Sequence, residues 1–109
     1  MEYPLNTEHD ITIVNEDISL NGFLYLPQAP LGLVLFAHGS GSSRFSSRNH
    51  CVAQVLNKAR LGTLLFDLLM PQEEAIDLTT REFRFNIPLL AQRLVIATNW
   101  CSEKTSICL

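Results

Sequence analysis

The chain has 109 residues, 47% hydrophobic and 17% charged, which fits one small globular domain or a piece of a larger one and argues against disorder. Its net charge is −3 and it contains no basic run, so a nucleic acid or an anionic membrane has no electrostatic support as a partner. No apolar stretch reaches bilayer length, and Met1-Glu2-Tyr3-Pro4 has neither the positive nor the apolar region of a signal peptide, so the expected location is cytoplasmic.

In chain order, Ile11 and Ile13 alternate with polar Thr12, and Ile18, Leu20, Leu24 and Leu26 continue the alternation after the polar cluster Asn15-Glu16-Asp17. That pattern predicts an antiparallel hairpin, with Gly22 marking a bulge or a close backbone approach. Pro27 and Pro30 end it. Leu33 to Ala37 is an unbroken apolar run that breaks into His38-Gly39-Ser40-Gly41-Ser42-Ser43, as expected of a strand buried on both faces. Ser46 or Ser47 then opens a helix over residues 47–60, with Cys51, Val52, Val55, Leu56 and Ala59 on one face. A second buried strand follows at Gly62 to Asp67. Met70 to Thr80, polar and acidic with Pro71 inside it, reads as a loop, and its acids as a solvated surface. The last helix spans Asn86 to Trp100, with Ile87, Leu90, Leu94 and Ala97 as its apolar stripe and Pro88 tolerated only near its start. Ser102 to Leu109 is a tail. The expected class is α/β: one domain over residues 1–109, a hairpin followed by strand–helix–strand–helix with the last two strands parallel.

Chemistry concentrates at the carboxyl end of the first buried strand, where open α/β sheets bind ligands. A Walker loop is excluded because no Gly-Lys-Ser/Thr follows. A dinucleotide fingerprint would use Gly39 and Gly41, with Asp67 on a ribose hydroxyl, but Arg44 stands where its third glycine belongs. An oxyanion-hole loop fits His38-Gly39-Ser40-Gly41, whose backbone N–H groups can face a developing negative charge. His38 is expected to hold the loop's shape rather than act as a base. No serine sits in a Gly-x-Ser-x-Gly elbow, so Ser40, Ser42 and Ser43 are loop formers rather than nucleophiles. Asp67 is a possible supporting group. The three cysteines, Cys51, Cys101 and Cys108, lack CxxC spacing, and with His9, His38 and His50 they make no metal cluster, so no metal is expected.

Three stretches together resemble the α/β-hydrolase superfamily, and within it the dienelactone-hydrolase-like enzymes: LNGFLYLP (Leu20–Pro27), GLVLFAHGSGSSR (Gly32–Arg44) and TLLFDLL (Thr63–Leu69). The similarity runs from about Ile11 to Trp100. It implies that His38 to Gly41 follow the third strand and give one oxyanion-hole donor, Ser40 first and Gly41 next. It also implies a serine-type acyl hydrolase acting on a small ester-like substrate without cofactor, with nucleophile, acid and histidine all beyond Trp100. The catalytic triad is therefore absent from these residues, and the chain is expected to be the amino-terminal portion of such an enzyme, inactive alone. Its sheet would lack the nucleophile strand and all that follows, leaving Leu33 to Ala37 as an exposed edge. That edge would pair with a second copy or with a carboxyl-terminal half. A non-catalytic binding module and a dinucleotide-binding fragment are the alternatives. Arg60 stands where the family pattern expects a helix-stopping glycine, and Pro88 where it expects a more permissive residue.

Overall fold

The computed structural model describes residues 5–38 and 45–105. Strands β1 (Glu8–Asn15), β2 (Ile18–Tyr25) and β3 (Gly32–His38) are followed by helix α1 (Ser47–Lys58), strand β4 (Leu61–Asp67), and helices α2 (Pro71–Thr80) and α3 (Ile87–Thr105).

The four strands form one sheet in the order β1-β2-β4-β3. The hairpin pairs from Glu8↔Tyr25 to Asn15↔Ile18, turning through Glu16 and Asp17. β2 then runs antiparallel to β4, and β3 runs parallel to β4 from Gly32↔Leu61 to His38↔Asp67. The β3–α1–β4 unit is thus a crossover between adjacent parallel strands. Gly22 pairs without a bulge, and its role is close approach. A Cβ there would lie 3.0 Å from both the Leu65 carbonyl oxygen and Phe66 Cβ.

β4 sits between two neighbours, and Gly62 to Phe66 are buried, whereas Leu33 to Phe36 of β3 are only half-buried and Ala37 is exposed. Among the described residues β3 has no strand on its other side.

One sheet face carries the core. Ile11, Ile13, Leu20, Leu24, Leu64 and Phe66 pack with Ala97 and Cys101 of α3, and Leu33 and Leu35 border them. Full burial of side chains of this size is worth about 1.5–3 kcal/mol each. Burial also pushes the Cys101 thiol up to about 12, so it stays protonated and inert. α1 lies on the opposite face, where Ala53 is its one buried residue.

Three expectations about the helices change. Residues 71–80 are helical, not a loop. Pro71 occupies the first turn, where its missing N–H costs nothing, and the Glu73 carboxylate accepts the Met70 N–H at 2.8 Å. The expected α1 stripe faces outward, with Cys51, Val52 and Val55 exposed. On α3 the buried line is Arg93, Ala97 and Cys101, while Ile87 and Leu94 are exposed. Pro88 does stand in the helix's first turn, and Arg60 does take the left-handed conformation, at φ 68°, that favours glycine.

Candidate functional site

The carboxyl ends of β3 and β4 lie side by side, with His38 and Asp67 in register. His38 is buried. Its Nδ1 is 3.1 Å from the carbonyl oxygen of Phe66, and its Nε2 is 2.8 Å from the side-chain nitrogen of Asn49 in the first turn of α1. Both ring nitrogens are engaged, so the imidazole fastens three elements together. Asn49 was not singled out in the sequence. Its position in the first turn of the helix after His-Gly is the only signal that could have found it.

Gly39, Ser40 and Gly41, with Ser42 to Arg44, lie outside the described residues. What is visible is the frame on either side of them. His38 donates no backbone slack, since its carbonyl accepts the Leu68 N–H at 2.9 Å. On the helix side, Phe45 meets Phe23 edge-on with ring centroids 5.3 Å apart, and His50 tilts over Phe23 at 5.7 Å. Phe23 and Phe45 join Asp10, Thr12 and Asn21 in lining a cleft of about 390 Å³ on the α1 face of the hairpin.

Leu68, just past β4, leads to a second polar cluster. Its carbonyl accepts Arg93 Nη1 at 2.9 Å, and the same guanidinium grips Glu73 through two bonds of 2.7 Å. The Arg93 side chain is 3% exposed and that of Glu73 12%. Hydrogen bonds from Arg93 hold the Glu73 carboxyl below its ordinary value, against the opposing pull of burial. Asp77, fully buried, accepts the backbone N–H groups of Phe83 and Arg84 at 2.8 and 3.0 Å and Arg84 Nε at 3.0 Å, which folds the turn into α3. Glu73 and Asp77 are therefore structural pairs, not the solvated surface expected. Asp67 is half-buried at the strand end and takes part in none of these bonds to Arg93. The described residues provide no nucleophile–base pair at these strand ends.

No family model matches the chain. A crystal structure of a dienelactone hydrolase from Anabaena variabilis superposes with a TM-score of 0.86 at 50% identity, covering 93% of this chain and 47% of that one. Two Mycobacterium tuberculosis proteins, from strains CDC 1551 / Oshkosh and ATCC 25618 / H37Rv, are each 48% identical over 101 residues. Both are named "Putative phosphoribosyl transferase", and the match covers 93% of this chain but 22% of each of theirs. The chain therefore spans about half of the hydrolase and about a fifth of the named transferases. Its fold is that of a dienelactone-hydrolase-like α/β hydrolase, over the amino-terminal portion of such a chain.

Proposed function

We propose that the chain supplies one half of a serine-type acyl-hydrolase site on this dienelactone-hydrolase-like frame. His38 to Gly41 would form the oxyanion-hole loop, with Ser40 the first choice of backbone donor and Asp67 in support. The nucleophile, acid and histidine would come from a carboxyl-terminal portion, whose strand pairs along β3 and covers the exposed face of α1. The substrate would be a small ester-like molecule, with no cofactor. The observation that carries this reading is the place of β3, a seven-residue parallel strand at the sheet's border with His38 at its carboxyl end.

The transferase name belongs to proteins in which the matched stretch is 22% of the length. The structural match of this chain to a dienelactone hydrolase, at 50% identity, favours the hydrolase reading for this portion. A binding module that uses the β3 edge without chemistry is the second reading, favoured by the half-exposed apolar residues Leu33 to Phe36. The relatives give a dinucleotide-binding fragment no support, and thermal stabilisation by NAD would be its test.

The purified chain should give no saturable turnover of a p-nitrophenyl ester above a denatured control. Turnover should appear when it is mixed with the separately produced carboxyl-terminal portion of the Anabaena relative. Saturable turnover by the chain alone would overturn the proposal. A complex that forms without turnover would favour the binding module.

A further inference from the structure

Two asparagines reach from α1 into the sheet at opposite ends of the helix. Asn57 gives its amide to the Leu61 carbonyl at 3.0 Å and to Thr63 Oγ1 at 3.2 Å, where the chain turns from α1 into β4. Asn49 gives its amide to Nε2 of His38. The chemistry of that second contact is more constrained. The Phe66 carbonyl can only accept, so Nδ1 of His38 carries a proton. The neutral ring then has its lone pair at Nε2, and the amide N–H of Asn49 fills it. Free histidine side chains favour the other tautomer, with the proton on Nε2. The Nδ1–H form is imposed here by its two partners, one on β4 and one on α1.

This contact also stands where α1 contributes little buried surface. Among the described residues, α1 buries only Ala53, and β3 has a strand on one side only. Side-chain interdigitation therefore does little to fix the head of α1 against the end of β3.

We propose that Asn49 is a positioning residue: it fixes the tautomer and orientation of His38 and thereby clasps the head of α1 to the carboxyl ends of β3 and β4. The use of such a clasp rests on the hydrolase reading, in which these strand ends carry the site. Its existence does not, and it is measured without reference to activity.

Nitrogen NMR of the imidazoles in the intact 109-residue chain tests it. In the unaltered protein, His38 should give a pyrrole-type Nδ1 and a pyridine-type Nε2. Asn49→Asp replaces the donor with a group that only accepts, so Nε2 must then carry a proton. His38 should then show a pyrrole-type Nε2. Asn57→Asp should leave the ring as it is. Asn49→Ala should speed amide exchange at Leu68, which donates to the His38 carbonyl, and at His50 in the first turn of α1. An increase of about 5–10-fold is expected, the worth of one buried hydrogen bond. Asn57→Ala should leave both amides within about twofold even as it lowers overall stability, by the same measure. The proposal fails if Asn49→Asp leaves Nε2 of His38 pyridine-type, or if Asn57→Ala loosens those two amides as much as Asn49→Ala does. Should Asn49→Ala not fold, the ring signals of the unaltered protein and of Asn49→Asp decide the matter alone.

Discussion

The two borders of this sheet are built differently. β1, EHDITIVN, carries Glu8 and Asp10 and alternates exposed polar residues with buried Ile11 and Ile13. β3, GLVLFAH, has no charged residue, proline or bulge among Leu33 to Ala37, and those side chains are half-buried or exposed. Natural edges are protected by charge, bulges or cover, and β1 follows that rule. β3 has the composition of an interior strand at a border position. Of the two apolar strands β3 and β4, only β4, with β2 and β3 beside it, realises the burial that such a composition suits. An apolar run thus reports the environment a strand is suited to, and not the one it occupies.

The largest test of this contrast is packing. Ile13→Ala on β1 should cost about 3–4 kcal/mol in urea unfolding, because its side chain is enclosed beneath α3. Val34→Ala on half-buried β3 should cost about 1 kcal/mol, a transfer term with little cavity. Equal costs would erase the distinction between the borders.

On the β3 side, polar ties replace packing. Arg93→Met should destabilise by about 3 kcal/mol, leaving the Glu73 carboxylate and the Leu68 carbonyl without their partner. The sign of the pH effect follows from the direction of the shift. The folded-state value of Glu73 is depressed, so its contribution is fully present above the ordinary carboxylate value and lost as pH falls through the lower folded value. Acid titration of unfolding should therefore lose a component in Arg93→Met. An unchanged acid limb would contradict the pairing.

Smaller effects should follow at Arg60 and Ala37. Arg60→Gly should stabilise by about 0.5–1 kcal/mol by relieving a left-handed backbone, less the loss of its 3.0 Å bond to the Ala29 carbonyl. Ala37→Lys, on the exposed end of β3, should change stability by less than about 0.5 kcal/mol while reducing self-association on a sizing column.

Much of this fold was legible because its signals were local. The alternation from Ile11 to Leu26, the apolar run into His38-Gly39 and the strand ending at Asp67 each gave the right element in the right order. The helix at 71–80 is not legible from composition because its acids and Pro71 suit a loop as well, although Pro followed two residues later by Glu73 is also the signature of a helix start. The orientation of α1 and α3 was not local information. It depends on how far the sheet extends and on Arg93 finding Glu73 twenty residues away. Of the candidate site, His38 and Asp67 were placed correctly at adjoining strand ends. His38 contacts Phe66 and Asn49, and Asn49 belongs to a helix whose rotation the pattern does not determine.

The most direct test of an open β3 edge is residue-resolved amide exchange on the dilute chain. A strand with one neighbour should show protection at alternate amides, so β1 and β3 should alternate while Thr63 to Phe66 of β4, paired on both sides, are protected continuously. On adding the carboxyl-terminal portion of the Anabaena relative, β3 alone should change, to continuous protection. Continuous protection along β3 in the chain by itself, with β1 still alternating, would contradict the open edge.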